Sequence, residues 1–275
     1  MADRTSAPSS GTGPSSGTGW RERVAPIERG TAGARATYDR LASVYDLVEA
    51  PFERRARATG LRMLAARTGE RVLEVGPGTG HTLAALAGQV GPEGRVVGVD
   101  LSAAMAARAR RRVVRAGRTA WAGAVQGDGR RLPIGDGVMD AVTMSFVLDL
   151  IDAGEIPAVL AECGRVLRPG GRLVIVALHL AEPPPVMARL YLWGHRRLPR
   201  LLDCRPIPVA DLLTDTGWRV RAVRHLSTAG LPISATLATA TTDTAATDAT
   251  SRGAGQVPGP DAGTDPPRPD RRTHR

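Results

Sequence analysis

Glu74 is followed at alternate positions by Gly76, Gly78 and Gly80, and two further acids, Asp100 and Asp128, close apolar stretches downstream. A carboxylate accepts hydrogen bonds on two oxygens, and a ribose offers two hydroxyl donors side by side. Asp100 stands twenty residues beyond Gly80, the interval at which a strand-end acid meets a ribose. Alternating glycines permit a tight turn that a ligand can approach without a Cβ in the way. His81, Asp149 and His179 fall near strand ends and are the candidates for moving a proton. Each also has a structural reading: His81 caps the glycine turn, Asp149 caps the next helix, and His179 is a loop residue. Cys163 and Cys204 are the only cysteines, in neither metal-ligand nor disulfide-framework spacing, so no metal is expected.

Those residues act together only if several strands end at one place. Arg71 to Val75 reads as a short buried strand, the glycine turn follows, and Ala84 to Ala87 suggests a helix. Strand, glycine turn and helix open a doubly wound α/β domain, in which ligands bind at the carboxyl ends of the strands. Arg95 to Val99 is a second strand, with Ser102 placed to cap the helix beginning near Ala103. A third closes at Val125-Gln126-Gly127-Asp128, and Asp140 to Phe146 is the fourth. A helix from about Ile156 leads through Arg168-Pro169-Gly170-Gly171, a sharp stop and reversal, into a fifth strand. Trp218 to Val223 and Ile233 to Thr239 supply two more.

The glycine spacing departs from the dinucleotide fingerprint, since the third glycine comes one residue early and His81 holds its place. The stretch resembles motif I of the class I S-adenosylmethionine-dependent methyltransferases, E/D-x-G-x-G-x-G, from Glu74 to Gly80. Leu132-Pro133-Ile134 resembles the same families' L-P-F turn, and Leu167 to Leu173 their L-K-P-G-G-x-L segment with Arg168 for Lys. Tyr38 to Asp46 resembles the N-terminal helix of the ubiquinone/menaquinone C-methyltransferases and of related phospholipid N-methyltransferase-like enzymes. The resemblance implies a Rossmann-like α/β fold, a seven-stranded mostly parallel sheet with the last strand antiparallel, and S-adenosyl-L-methionine as cofactor. It implies cofactor contacts from Glu74, Gly76, Gly78, Gly80, Asp100, Leu101, Met105, Gly127, Asp128 and Ser145. In it Asp100 takes the ribose hydroxyls, Asp128 the adenine amine, and the N-terminal helix closes over the cofactor.

Three segments follow from composition. Residues 1–33 are rich in Ser, Gly, Thr and Pro, and 241–275 in Thr, Ala, Asp, Pro and Arg; both are expected to be disordered, leaving 34–240 as the catalytic domain. No apolar run suits a signal peptide or a membrane span, so a cytoplasmic protein is expected. The chain contains no lysine, and its formal charge of +10 is carried by arginine. The excess lies in Met105 to Arg118, read as a solvated helix face, and in Met187 to Arg205. Within 187–202, Met187, Leu190, Tyr191, Leu198, Leu201 and Leu202 recur at helical spacing beside Arg189, Arg196, Arg197 and Arg200, as in a helix lying on anionic lipid. A lid over a soluble ligand fits the same pattern.

The expected acceptor is a small molecule or lipid, a quinone precursor or phospholipid amine foremost, with a soluble secondary metabolite as the alternative. A nucleotide-dependent oxidoreductase would share Asp100 but not the glycine spacing. Nucleic acid is not an expected partner, because Met144-Ser145-Phe146 lacks the Asn/Asp-Pro-Pro-aromatic of base methyltransferases and only 3% of residues are aromatic. A non-enzymatic cofactor-binding protein with a vestigial pocket is disfavoured because Glu74, Asp100 and Asp128 are all intact.

Overall fold

Val, Ile, Leu and Ala dominate the strand segments, and β-branched residues on a pleated surface buried from both sides favour parallel pairing. The computed structural model describes residues 19–22, 24, 53–179 and 205–240. The segments 38–46 and 187–202, Cys204 and the stretch from Thr241 onward lie outside the described residues. The strands are β1 (Arg71–Val75), β2 (Arg95–Asp100), β3 (Ala122–Gln126), β4 (Met139–Ser145), β5 (Leu167–Leu178), β6 (Trp218–Thr228) and β7 (Leu231–Ala240). The helices are α1 (Gly19–Glu22), α2 over 53–64, α3 (His81–Val90), α4 (Ala103–Arg115), α5 (Ile156–Val166) and α6 (Val209–Asp215), with a 3₁₀ turn at Leu148–Leu150.

The seven strands form one sheet in the order β3-β2-β1-β4-β5-β7-β6, parallel except for β7, which runs antiparallel to both neighbours. This is the expected class I methyltransferase arrangement. Strand order reverses between β1 and β4, so their helices leave to opposite faces and a crevice opens at their carboxyl ends. Successive side chains alternate between those faces: Val72 packs with α2, α3 and α4, while Leu73 packs with α5 and α6. Glu74, on the same side as Val72, therefore points under α2 and α3. Register brings Val75, Val99 and Met144 level, and the turns that follow them meet.

Two boundaries differ from the sequence reading. Leu167 already pairs with Met139, and the next pairing is Arg172 with Ala141, so the Pro-Gly-Gly turn is a bulge inside β5, with Gly170 at φ 76°. Asp140, opposite the bulge, accepts from Arg71 N–H (2.7 Å) and pairs with Arg168 (2.7 Å). β6 and β7 run longer than expected because a two-residue turn joins them directly. Ala229 and Gly230 both have positive φ (48° and 79°) between the paired Thr228 and Leu231, the twist-matched hairpin geometry.

The N-terminal expectation is corrected at two residues. Residues 1–33 are too poor in large apolar groups to predict a core contribution, yet Trp20 (2% exposed) and Val24 are buried in the cluster that contains α5, α6 and the inner face of the sheet. A single aromatic buries enough surface to seat a four-residue turn that composition counts as tail. Trp20→Ala is expected to destabilise the fold by about 3–5 kcal/mol, whereas deletion of 1–18 should not; urea unfolding of the two variants measures the difference.

Candidate active site

The site begins with Asp100, the last residue of β2. One carboxylate oxygen accepts from Gly78 N–H (3.0 Å) and the other from Ser102 N–H (2.9 Å). The same side chain thus ties the glycine turn after β1 to the start of α4. Ser102 caps α4, its hydroxyl accepting from Met105 N–H (3.2 Å). Backbone bonds brace the junction: Gly76 N–H donates to Val99 O and Gly127 N–H to Asp100 O, each at 2.8 Å. Gly78, at φ 52°, has open space where a Cβ would project. Gly80, at φ 82°, has the reverse reason for being glycine: its Cβ would lie 2.6 Å from Ala109 Cα, so it lets α3 pack against α4.

One cleft collects most of the expected cofactor residues. Glu74, Gly76, Gly78, Asp100, Leu101, Met105, Asp128 and Ser145 line it. Gly80 and Gly127 stand behind it as packing elements; a Cβ on Gly127 would meet Val99 at 2.8 Å. Glu74 is 2% exposed, and its Oε2 has no hydrogen-bond partner among the described residues. Burial pushes its carboxyl up to about 8, against the pull of Arg57, with the Asp100 charge adding to the rise. Glu53 and Arg57, an ion pair one turn apart on α2, line the same cleft. Burial raises Glu53 as well, partly offset by Arg57. Neither residue was anticipated. The signal was faint but present, since Glu53 falls at helical spacing with Ala56, Gly60 and Leu64, all buried. An acid on an apolar face is a common mark of a site.

At the far side Asp128 is held by Arg130, which donates from its backbone N–H (2.9 Å), Nε (3.0 Å) and Nη2 (2.6 Å) and also pairs with Glu155. The Arg130 hydrogen bonds hold the Asp128 carboxyl below its usual range. β4 ends one residue earlier than expected, at Ser145. Phe146 follows at φ 56°, a left-handed conformation that costs a bulky side chain about 1–3 kcal/mol and tends to occur at functional sites. Phe146, Val147, Leu150 and Ile151 give the same cleft an apolar wall.

The three candidate bases do not join this cleft. His81 opens α3 on the outer surface, with its ring against the Arg112 guanidinium. Asp149 is fully buried within the 3₁₀ turn and feels the charge of Arg205, which donates to Ile151 O. His179 follows β5 and tilts against His225 (centroids 4.5 Å apart); burial pushes it down to about 4, and His225 adds to the fall. Its neutral imidazole is a poor base near neutrality. Several arginines of α4 are likewise not simply solvated, since Arg110 donates to Ala124 O (2.9 Å) and Arg112 meets His81. Among the described residues no group of three or more His, Cys, Asp or Glu is placed to hold a metal ion, and no helix is long and apolar enough to cross a membrane.

A methyltransferase-domain family matches residues 72–171, the span from β1 to the β5 bulge. A demethylmenaquinone methyltransferase from Beutenbergia cavernae is 35% identical over 218 residues, covering 69% of this chain and 84% of that protein. The chain is a class I S-adenosylmethionine-dependent methyltransferase of the ubiquinone/menaquinone C-methyltransferase type. S-adenosylmethionine is its cofactor. The ubiquinone/menaquinone biosynthesis C-methyltransferase UbiE of Pseudomonas savastanoi pv. phaseolicola is 34% identical over 171 residues, covering 62% of this chain and 63% of that protein. The solved structure of an S-adenosylmethionine-dependent methyltransferase from Aquifex aeolicus has the same fold, with a TM-score of 0.50 and 23% identity over 66% of this chain and 88% of its own. The cleft suits such a cofactor: open space at Gly78, an unpaired buried acceptor on Glu74 and a strand-end acid at Asp100.

Glu74 also makes the methyltransferase's stability depend on pH. The cofactor-free folded chain keeps this proton to about pH 8, whereas an ordinary carboxyl gives it up near 4.5. The folded state therefore binds more protons between those values, and stability falls as pH rises through them, levelling above 8. Glu74→Gln, which stays neutral, should flatten the fall in melting temperature between pH 5.5 and 8. Glu53 shifts in the same direction and should leave a smaller residual slope.

Proposed function

We propose that this methyltransferase alkylates a ring carbon of a quinone precursor, with Glu74, Gly76, Gly78, Asp100, Leu101, Met105, Asp128 and Ser145 as its cofactor contacts. The observation that carries the acceptor reading is the match to a relative named demethylmenaquinone methyltransferase over 84% of that protein's length. The apolar wall of Phe146, Val147, Leu150 and Ile151 supports it, because a hydrophobic ring bearing few donors needs such a surface.

When bound, S-adenosylmethionine supplies an electrophilic methyl group on a sulfonium. The chain's part is chiefly positioning. Asp100 presents its carboxylate to two adjacent hydroxyls while keeping the glycine turn in place, and Asp128 offers an acceptor at the end of β3. To bond an exocyclic amine, Asp128 must use lone pairs that Arg130 leaves over or give up part of that pairing. Phe146 and Val147 exclude water from the reacting end. Holding a nucleophilic carbon in line can lower a barrier by ~7–11 kcal/mol. Because His81, Asp149 and His179 lie off the cleft, the proton lost from the ring carbon goes to a cleft carboxylate or to water, not to an imidazole among the described residues.

Residues 34–240 are the proposed catalytic domain, and 187–202 the proposed membrane-facing element through which an acceptor dissolved in lipid arrives. That arginine-bearing segment should bring the wild type down with anionic vesicles at low salt and release it as salt rises. An Arg196, Arg197 and Arg200 to Gln variant should stay in the supernatant; equal sedimentation of both proteins would remove the membrane element from this account. For the reaction, labelled-methyl transfer to a short-chain demethylated naphthoquinol tests the acceptor directly. Asp100→Ala should lower cofactor affinity at least tenfold, a loss of about 1.5–3 kcal/mol for a charge-assisted bond. Label appearing only in polar metabolite fractions would overturn the quinone reading and leave the methyltransferase intact.

A further inference from the structure

The chain reverses tightly after β3. Asp128 O accepts from Arg131 N–H (3.0 Å), and this turn brings the Arg130 side chain back onto the Asp128 carboxylate. Oδ1 accepts from the Arg130 backbone N–H (2.9 Å) and from Nε (3.0 Å), and Oδ2 accepts from Nε (3.0 Å) and Nη2 (2.6 Å). A carboxylate has about four lone-pair sites, so Arg130 takes up the acceptor capacity that a ligand at the end of β3 would use. Through Nη1 the same guanidinium reaches a second acid, Glu155, which immediately precedes α5. Asp128, Arg130 and Glu155 all line the cleft. Neither tie is buried: Arg130 is 37% exposed, Asp128 35% and Glu155 31%. Ion pairs open to water hold weakly, so one partner can be exchanged for another. Two features keep such an exchange local. The Arg130 backbone N–H stays on Oδ1 whatever its side chain does. The loop beyond is fixed separately, since Leu132 N–H donates to Glu162 (2.7 Å) and Arg165 donates to Leu132 O (3.1 Å) and Ile134 O (2.9 Å). The guanidinium is thus free to swing while its loop stays in place, and Glu155 is the acid already in its reach.

Resting on the reading of Asp128 as acceptor for the adenine amine, we propose that Arg130 is a positioning residue that competes with that amine for Asp128 and moves onto Glu155 when the cofactor binds. The displaced ion pair offsets part of the amine contact, as when only a fraction of a protein is competent to bind. S-adenosylmethionine and S-adenosylhomocysteine carry the same adenine, so Arg130 loosens the hold on both. The demethylated product leaves faster for it. Glu155 limits the effect, because a guanidinium with a second carboxylate to go to is easier to displace.

The test is calorimetric titration of the full chain with S-adenosylhomocysteine and with its deamino analogue, in which hydrogen replaces the adenine amine. Arg130→Met unmasks Asp128 and should bind S-adenosylhomocysteine roughly two- to fivefold tighter than wild type, the range of a partly exposed ion pair. Dissociation of that ligand should slow by a similar factor. Its affinity for the deamino analogue should equal the wild type's, because that ligand makes no demand on Asp128; the equality also shows that the variant is folded. An Arg130 that merely stiffened its loop would give weaker binding of both ligands on removal. That result, or unchanged affinity for S-adenosylhomocysteine, overturns the proposal. Glu155→Gln removes the receiving acid and should weaken S-adenosylhomocysteine alone, with no effect in the Arg130→Met background. No weakening, or equal weakening in both backgrounds, overturns the transfer to Glu155, and the single Glu155→Gln variant decides alone should Arg130→Met not fold. Asp128→Ala tests the underlying contact separately and should erase the wild-type preference for the amine-bearing ligand. Persistence of that preference would place the amine elsewhere and overturn the Asp128 assignment, and the proposal with it.

Discussion

The carboxylate of Asp100 is the tie on which the rest of the site depends. Two backbone N–H groups, from Gly78 and Ser102, converge on it, so the end of β2, the turn after β1 and the first turn of α4 hold one another. Charge-assisted bonds to a buried carboxylate are stronger than neutral ones and short enough to fix geometry. Without that tie, three segments that meet only at their tips would each keep their own freedom, and the cleft would have no floor. The sheet supplies the coarse placement through the strand reversal between β1 and β4, and Asp100 supplies the last ångström.

Much of this was legible because the relevant signals are local. A glycine run after a valine-rich strand, an acid at the next strand's end and a Ser at a helix start each report on a few neighbouring residues, and β1, β2 and the start of α4 follow from them, whereas the seven-stranded sheet with its antiparallel strand is implied only by the family resemblance. The misses are of another kind. Trp20 joins the core from a segment whose composition argues against burial, because one large aromatic outweighs a window average. Glu53 and Arg57 line the cleft beside Glu74 and Asp100, a meeting of residues distant in the chain of which helical spacing gives only the faint mark of an acid among buried positions. The Pro-Gly-Gly stretch was read correctly as a reversal but is carried as a bulge, since pairing of Leu167 with Met139 begins before it. His81, Asp149 and His179 lie outside the cleft lining, because position near a strand end does not reveal which way a side chain faces.

With no lysine in the chain, every long-chain cation is an arginine. The structure shows how such a composition is put to use. Arg172 donates to the carbonyls of Leu64 (2.5 Å) and Ala65 (3.0 Å) and to both oxygens of Glu70, fastening the end of α2 to β5. Arg165 bonds Glu162 and the carbonyls of Ile134 and Leu132, securing the loop beneath Asp128. A planar five-donor fork can serve several acceptors at once where an ammonium would serve fewer in fixed directions. Glu70 and Glu162 are both held below their ordinary range by these partners, even though burial opposes the shift.

The placement of β7 between β5 and β6 has a consequence for how the chain is made. As the protein leaves the ribosome, β1 to β5 can assemble in parallel, but the open side of β5 has no neighbour until synthesis reaches Ala240. The nascent sheet therefore carries a long apolar rim of unpaired backbone groups, a template for pairing with another chain. The tight hairpin at Ala229-Gly230 shortens that exposure, because β6 and β7 can form as a preassembled pair and dock in one event. Escape from aggregation during synthesis thus rests on the last strands of the domain more than on the glycine turn with which the site begins.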